Sequence, residues 1–453
     1  MFFPRGGSAQ VVRYLARALP AAGWHSRVVA GSLGAPGTPG HAGTFFGPGA
    51  DLVAVPYDAA AAAPDPMRAD PPMHASYEDR PGAPDRLMAG LGDRLAEHQV
   101  TAWTRILARA WPDGAEVAHM HHLTPAHEAL ARVRPDVPVV THIHGTELLM
   151  LDAGRGDGAA AHAARWERRM RGWAARSARI IVSSPPAVAD VERLLGVDPG
   201  RVEVVPNGVD LGVFAGGPAP REDRHAFLRR WLVEEPRGWS PARPWAGGVR
   251  HRDAQLEVLR RPDAVTVAYV GRFTEVKRVP LLIRAHARAR EALGAPLPLV
   301  VAGGAPGEWE GDHPADVAAA SPWRDEVYFA GWRSHEEVAA LLAHVDLLAA
   351  PSAMERFGQV YVEAMAMGVP PIACAAGAPP TYIDADPSSA ERCGWLVPPD
   401  DEEALALALV EAARDGAERA LRGANGRRRA RGRFSWEGIA RTVAGVYAAA
   451  AGG

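Results

Sequence analysis

Two glutamates around a glycine turn form the most specific chemical pattern of the chain, in the segment 355–363. Glu355 precedes a Phe357-Gly358 turn, and Glu363 lies eight residues further on, inside a predicted helix. One carboxylate therefore lies in the loop after a strand, where open α/β sheets bind ligands, and the other about one turn into the helix. The backbone amides from Gly358 to Val360 open that helix and suit a phosphate. The segment predicts a site for a polar, phosphate-bearing ligand.

A second pattern surrounds Lys277, which is the only lysine of the chain. Gly271 ends a predicted strand and lets the backbone approach a ligand closely. Arg272 and Lys277 can then contact a diphosphate, the guanidinium through two parallel hydrogen bonds and the ammonium as a point charge. The alternative is a solvated basic loop, which does not explain why the single lysine stands here.

Histidines stand at the ends of two predicted strands. His119 and His121 alternate on the first strand, and His142 and His144 on the second, so that each pair shares one face of the sheet. Imidazole is a common zinc ligand, but the spacing matches no established zinc pattern, and we predict no metal. His144, just before Gly145 at the strand end, is predicted instead to contact an organic ligand.

The beginning of the chain carries a weaker signal. Gly6 and Gly7 follow Pro4-Arg5 and a short apolar run, and they open a predicted helix near Ser8. The first turn of a helix attracts phosphate, although a Gly-Gly turn without a ligand explains the pattern equally well. The spacing is not Gly-x-Gly-x-x-Gly, which argues against an NAD-dependent oxidoreductase.

Short apolar runs alternate with amphipathic stretches throughout the chain, which predicts parallel sheets covered by helices on both faces. Two such series predict two α/β domains. We place the first domain at 1–209, the second at 210–434 with an insertion at 216–262, and a last helical segment at 435–453. The predicted strands are 27–31, 52–55, 117–121, 137–143, 179–183, 202–205, 265–270, 298–302, 326–330, 346–350, 370–374 and 394–397.

Helix signals accompany these strands. Apolar spacing predicts helices over 8–20, 279–293 and 435–450, and Ser334 with Glu337 forms a capping-box pattern. The segments 32–90 and 216–262 are irregular in composition. Each is interpreted either as a mobile surface insertion or as a loop that covers substrate.

Composition narrows the class of protein. The 453 residues carry a formal net charge of −3, so no bulk basic field favours nucleic acid. No apolar run reaches the roughly 18 residues of a membrane span, and no secretory signal is recognisable. Two cysteines, Cys374 and Cys393, do not make a disulfide framework. We therefore expect a cytoplasmic protein without integral membrane contact and without a nucleic-acid partner.

Taken together, these motifs resemble the retaining family 4 glycosyltransferases of the GT-B fold. The resemblance covers nearly the whole chain and rests on six segments: the Gly6-Gly7 opening, His144-Gly145-Thr146, the seam Val205–Asp210, Gly271–Lys277, the glutamate pair of 355–363, and Gly394–Asp401. It implies two Rossmann-like parallel-sheet domains that face across a cleft, with the nucleotide held mainly by the second. It also implies that a hexose-type sugar moves from a nucleotide diphosphate sugar to an acceptor with retained configuration and without a metal ion or other cofactor.

The resemblance also implies roles for single residues. Arg272 and Lys277 would stabilise the departing diphosphate, Glu355 would hold the sugar hydroxyls, Glu363 would bind the ribose, and His144 would contact the donor sugar near the reacting face. The further donor-binding residues would be Gly6, Gly7, Gly271, Gly331, Trp332, Phe357, Gly358, Gln359 and Val360, and the acceptor-binding residues His121, Thr146 and Glu147.

Some features leave alternatives open. The family often has a Gly-Gly-x-x-Glu string where this chain reads Ala376–Asp384, which leaves that side of the sugar site undefined. UDP is favoured over GDP as the nucleotide. The mixed charge of residues 32–110 favours a small, soluble acceptor over a lipid. Another GT-B enzyme, such as a phosphorylase, and a non-catalytic sugar- or nucleotide-binding protein are the competing interpretations.

Overall fold

The computed structural model describes residues 6–78, 84–112, 114–156, 160–239, 248–304 and 309–452. The apolar run predicted before Gly6 lies outside these residues, as do Pro4-Arg5 and the stretches 79–83 and 240–247 of the two predicted insertions. The chain forms two compact units. One extends to Gly208 and resumes at Trp436, and the other extends from Val209 to Ser435.

The first unit contains two groups of parallel strands among its described residues. Strands β1 and β2 pair with each other, and β3, β4, β5 and β6 form a four-stranded sheet in that order. The strands are β1 (Arg27–Ser32), β2 (Asp51–Pro56), β3 (Ala118–His121), β4 (Val139–Ile143), β5 (Arg179–Val182) and β6 (Val202–Val204). Their helices are α1 (Gly6–Ala18), α2 (Ala42–Phe46), α3 (Asp58–Ala62), α4 (Asp93–Ala110), α5 (Ala126–Val133), α6 (Thr146–Ala153), α7 (Ala163–Arg176) and α8 (Pro186–Leu195).

The second unit is built on one six-stranded parallel sheet in the order β12-β11-β10-β7-β8-β9. The strands are β7 (Val267–Gly271), β8 (Leu299–Gly303), β9 (Val327–Gly331), β10 (Leu347–Ala350), β11 (Pro371–Cys374) and β12 (Trp395–Val397). The helices are α9 (Arg221–Arg229), α10 (Asp253–Leu256), α11 (Val279–Leu293), α12 (Pro314–Ala319), α13 (His335–Ala343), α14 (Gln359–Met367), α15 (Glu402–Arg414) and α16 (Gly416–Arg433).

Every predicted strand is present, with ends that differ from the prediction by at most two residues. The strands of the second unit are almost completely buried, as expected when helices cover both faces of a parallel sheet. The predicted capping box is also confirmed: the Ser334 hydroxyl accepts from the Glu337 amide, and the Glu337 carboxylate accepts from the Ser334 amide.

The last helix, α17 (Trp436–Ala451), belongs to the first unit. It packs along α1, where the rings of Tyr14 and Trp436 stack with centroids 5.6 Å apart. Gly208 lies against the same indole, and a Cβ atom there would be 2.6 Å from its ring. The residues that join the helix to this core are mostly aliphatic and aromatic, so apolar burial holds it in place.

Both irregular segments contribute residues to the hydrophobic cores where the structure describes them. In the segment 32–90, Tyr57, Met67, Met73 and Met88 are at most 1% exposed and belong to the core of the first unit. In the segment 216–262, Trp231 and Trp239 are buried in the core of the second unit. The composition of these segments did not predict this packing. Their many Ala, Pro and Gly residues conceal the few large apolar residues that anchor each segment.

No helix among the described residues combines the length and the apolar character that crossing a membrane requires. Cys374 and Cys393 are both buried thiols without a disulfide.

Candidate active site

The predicted lysine and the first predicted glutamate meet in the second unit. Lys277 lies in a short 3₁₀ turn, Glu275–Lys277, between β7 and α11, while Glu355 follows β10. The Nζ atom of Lys277 lies 2.5 Å from Oε2 of Glu355, and both side chains are about four-fifths buried. The single lysine of the chain therefore contacts a glutamate that a separate sequence motif had predicted as a site residue. Burial holds the two side chains in a fixed geometry, while their remaining exposure leaves them accessible to a ligand.

Helix α14 begins at Gln359, four residues after Glu355. Gly358 caps it with φ +82°, a conformation that favours glycine, and a Cβ atom there would lie 2.4 Å from the ring of Tyr361. The turn is held from behind, since the Tyr361 hydroxyl donates to the carbonyl of Ala350 at the end of β10. The amides of the first helical turn, at Gln359 and Val360, are those that an α-helix leaves without an internal acceptor.

The loop after β11 supports the backbone of Glu355. The amide of Ala378 donates to the Glu355 carbonyl at 2.8 Å, and Gly377, with φ +67°, passes so close that a Cβ atom would lie 2.2 Å from that oxygen. The hydroxyl of Tyr382 donates to the carbonyl of Phe357. The segment Ala376–Asp384, which departs from the family pattern, therefore acts on the site by positioning the loop 355–358.

This packing makes a mutational prediction with a matched control. Gly377→Ala should lower the free energy of unfolding by about 1–2 kcal/mol for the left-handed backbone, with a further loss because the methyl group must displace the Glu355 carbonyl. Gly294 has a similar left-handed backbone (φ +64°), but a Cβ atom there would meet open space. Gly294→Ala should therefore show only the loss caused by the backbone conformation. Urea unfolding of the two variants measures the difference. Equal losses would contradict a close approach at Glu355.

The second predicted glutamate is buried beside a histidine that the sequence analysis did not select. Glu363 lies on α14 and is 4% exposed, and its Oε1 atom lies 2.8 Å from Nε2 of His335, the first residue of α13. Burial opposes the charged imidazole, yet Glu363, with Glu336 and Asp210, brings the pKa of His335 above its usual value. The capping box at Ser334 was the available signal, because it places His335 at the start of a helix after a strand.

The raised pKa of His335 predicts a pH dependence of stability. A raised pKa in the folded state contributes stability that is fully present below the unfolded value of about 6.5 and is lost as the pH rises through the folded value. Wild type should therefore exceed Glu363→Gln in free energy of unfolding by more at about pH 6 than at about pH 9. Urea titrations at the two pH values measure this, and a pH-independent difference would contradict an ion pair.

The turn after β9 is shaped by the second irregular segment. Gly331 has φ +69°, and a Cβ atom there would lie 2.4 Å from the carbonyl oxygens of Arg237 and Gly238. The amide of Trp332 donates to the Gly238 carbonyl at 2.8 Å. Burial and the nearby Arg237 charge lower the pKa of Arg333 to about 10. Sequence reasoning marked Gly331 and Trp332 but missed the backbone contact that residues 237–238 make with them.

Arg272 follows β7 directly, three residues before the turn that carries Lys277 begins. Its carbonyl accepts from the Tyr269 hydroxyl at 2.6 Å, and Gly271 leaves room for that ring, since a Cβ atom would lie 2.7 Å from the phenol oxygen. The backbone at 271–272 is thus fixed by the strand and by a buried tyrosine. Both residues stand at the carboxyl end of the sheet, as the sequence predicts.

In the first unit, His144 follows β4 and Thr146 begins α6. Both are partly exposed, as a ligand contact requires. Nδ1 of His121, on β3, lies 3.0 Å from Nε2 of His144. Gly6 and Gly7 open α1, and apart from their chain neighbours and the backbone of α1 itself, no described residue comes within 4 Å of a Cβ atom placed at either position.

Glu147 is placed differently from its predicted acceptor-binding role. Its carboxylate is completely buried, accepts from the amides of His144 and Gly145, and lies 3.2 Å from Nδ1 of His122. Burial alone would raise the pKa of Glu147, but the charge and hydrogen bond of His122, together with the backbone amides, lower it. We correct the prediction: Glu147 fixes the turn at 144–145 and does not reach the surface. Glu147 is buried because the first turn of α6 packs it inward, and the sequence His-Gly-Thr-Glu alone does not show this packing.

Two family models match the chain, one over each unit. "Glycosyltransferase Family 4" covers residues 5–213, and "Glycosyl transferases group 1" covers residues 252–429. The chain belongs to glycosyltransferase family 4. Both halves of the predicted site fall inside these matches, with His144 in the first and Lys277, Glu355 and Glu363 in the second.

Relatives of this family 4 chain carry related names. It is 31% identical over 278 residues to a D-inositol 3-phosphate glycosyltransferase of Salinispora tropica, which covers 60% of this chain and 51% of the relative. It is 30% identical over 298 residues to an MMP alpha-(1->4)-mannosyltransferase of Mycolicibacterium hassiacum, with 63% and 60% covered. The chain thus spans about half the length of the first of these relatives.

Solved structures agree on the fold, which is GT-B. A sucrose-phosphate synthase of Thermosynechococcus elongatus matches with a TM-score of 0.64 at 23% identity, covering 98% of this chain and 93% of that one. HepE of Anabaena, solved with UDP-glucose, matches with a TM-score of 0.63 at 18% identity, covering 97% and 95%. At such identity these matches bear on the fold alone.

Proposed function

We propose that this protein is a retaining glycosyltransferase that moves a hexose from a nucleotide diphosphate sugar to a small-molecule acceptor. The contact between Lys277 and Glu355 is the observation that carries the proposal. It joins a cation suited to phosphate and a carboxylate suited to sugar hydroxyls at the beginning of one helix. In a nucleotide sugar the diphosphate is bonded directly to the sugar. Lys277 and Glu355 are in contact in the same way, one suited to the phosphate and the other to the sugar.

The departing diphosphate needs positive charge. Arg272, Lys277 and the amides of the first turn of α14 all belong to the carboxyl end of the second sheet. These groups can neutralise the charge that develops as the glycosidic C1–O bond breaks, which is the role a divalent cation fills elsewhere. Transfer without a metal ion at the diphosphate is therefore part of the proposal.

Retention follows from a reaction on one face of the sugar. The bond between C1 and the phosphate oxygen breaks, and the acceptor hydroxyl oxygen forms its bond to C1 from the same side. The acceptor proton passes to the departing phosphate oxygen, so that no protein nucleophile and no further base is required. Glu355 orients the sugar through its hydroxyls, and the first unit, with His144 and Thr146, is assigned to the reacting face and the acceptor.

UDP is the nucleotide we favour, and Glu363 with His335 is the pair proposed to hold its ribose. Structural neighbours that were solved with UDP-glucose or UDP support a uridine nucleotide. The relatives named for D-inositol 3-phosphate support a small polar acceptor. The buried, unpaired thiols Cys374 and Cys393 suit the reducing cytoplasm, where we place the reaction.

A thermal-shift panel tests the proposal. UDP, GDP, ADP and their common sugar conjugates are added in EDTA, since a ligand that binds only the folded state raises the melting temperature. We expect a rise with UDP and its conjugates, and a smaller rise in Lys277→Ala. A rise with UDP-sugar together with release of UDP on addition of inositol phosphates or sugars identifies transfer.

Other outcomes separate the alternatives. A rise with nucleotide but no turnover with any acceptor favours a binding protein, and phosphorolysis of an oligosaccharide favours a phosphorylase. The absence of any shift with all nucleotides would overturn the assignment of the second unit as the donor site.

A further inference from the structure

We propose that His119, His121 and His142 form a binding site for a transition-metal ion, Zn²⁺, in the first unit. One ring nitrogen from each residue lies within 4.8 Å of those of the other two. The three side chains share a face because His121 of β3 is in register with His142 of β4, and His119 lies two residues earlier on β3. The sequence analysis predicted no metal here because zinc ligands are recognised by spacing along the chain, and this set is formed across two strands.

The unpaired nitrogens are the second observation. His142 is 3% exposed, and neither of its ring nitrogens has a hydrogen-bond partner among the described residues. Nε2 of His119 is likewise buried without such a partner. Buried polar atoms are almost always paired, so these three nitrogens on two neighbouring rings point to a ligand that the described residues do not supply.

The partners of the remaining nitrogens agree with metal binding. Nδ1 of His119 lies 2.6 Å from the Tyr447 hydroxyl, and Nδ1 of His121 lies 3.0 Å from Nε2 of His144. A metal-bound histidine characteristically donates a hydrogen bond from its other nitrogen, which fixes the tautomer and the ring plane. With Nδ1 as donor in both residues, each Nε2 lone pair is left for the metal.

The chemistry of the set favours zinc. Three imidazoles leave one of four tetrahedral positions for water, and imidazole suits zinc better than it suits Mg²⁺ or Ca²⁺. Burial lowers the pKa of His119 to about 3 and, with neighbouring histidines, lowers those of His121 and His142, so that the rings are neutral. Two nitrogens on one zinc are roughly 3.4 Å apart. The rings of His119 and His142 are nearly parallel, at 2°, so zinc binding requires the imidazoles to turn until their lone pairs converge.

The site also has an entry path. His119 and His121 line a cavity of about 400 Å³ between α1, β1, β3 and α4. The histidine site shares no residue with the groups assigned to the diphosphate, all of which belong to the second unit, so the inference does not rest on the proposed function. Through His121, a bound ion would hold His144 as a hydrogen-bond acceptor and so orient it.

The test is a titration of the full chain, free of affinity tags and depleted of metal with EDTA. Calorimetry with ZnCl₂ should show one equivalent per chain, and CoCl₂ should give the intense visible absorption of a tetrahedral site. His119→Gln and His142→Gln should each weaken zinc binding at least about tenfold, which corresponds to loss of one ligand. His162→Gln, which changes a partly exposed histidine of the same unit, should leave binding unchanged.

Wild-type protein that binds no zinc, or that leaves CoCl₂ with the spectrum of the free ion, would overturn the proposal whether or not the variants fold. Zinc binding that survives in folded His119→Gln and His142→Gln would overturn it as well. UDP binding to the EDTA-treated protein is measured in parallel. Its loss bears on the proposed function, while the zinc titration bears on the histidine site alone.

Discussion

Lys277→Ala should lower the turnover of the donor by about 10²- to 10³-fold, the loss typical when one donor to a developing oxyanion is removed. The expected effect lies mainly in kcat, because charge on the diphosphate grows as the glycosidic bond breaks. Removal of Lys277 leaves Glu355 without its cation. Since both side chains keep a sixth to a fifth of their exposure, the cost should lie between that of exposed and fully buried pairs, at about 2 kcal/mol.

Arg284→Ala is the control for this variant. Arg284 lies on α11, the helix that follows the Lys277 turn, and is half exposed. It pairs with the Glu402 carboxylate at 2.9 Å, so its removal also breaks an ion pair. It should leave kcat within about twofold and cost at most about 1 kcal/mol. Initial rates of UDP release and urea unfolding of both variants give the comparison. Normal turnover in Lys277→Ala would refute the phosphate assignment.

Strand and helix positions could be predicted because their signals are local. Near-continuous apolar runs specify buried parallel strands, and the Ser334–Glu337 capping box specifies where α13 begins. The placement of Lys277 and Glu355 at the same edge could be predicted as well, since both follow strands of one parallel sheet, but their direct contact was not.

Contacts between distant segments could not be predicted in this way. His335 meets Glu363 across two helices, and His142 meets His119 across two strands, so neither pairing leaves a pattern along the chain. Glu147 was misjudged for a related reason. Its position after His144 and Gly145 looks exposed in the sequence, while the backbone amides it accepts from turn it inward. Tertiary packing decides whether a polar residue near a site is a ligand contact or a support.

Glu355→Gln should lower kcat about 10- to 100-fold while the dissociation constant for UDP changes less than about threefold. A carboxylate accepts charge-assisted hydrogen bonds from sugar hydroxyls, each worth about 1.5–3 kcal/mol. Glutamine has nearly the same shape but lacks the charge. Lys277 remains in contact with the amide oxygen, so the turn should stay in place. Steady-state kinetics with the sugar donor, and calorimetry with UDP alone, separate the two quantities.

Glu363→Gln, compared with Glu355→Gln, tests whether the two carboxylates hold different parts of the donor. Glu363 lies eight residues after Glu355 and faces His335 in the interior. If it binds the ribose, its variant should weaken UDP about tenfold, equivalent to about 1.4 kcal/mol, and should affect UDP and UDP-sugar alike. Uniform binding loss in one variant and a loss confined to kcat in the other would place the nucleotide at α14 and the sugar at the loop before it. If Glu355→Gln abolished UDP binding instead, the two carboxylates would have exchanged roles, and the direction of the donor along the helix would be reversed.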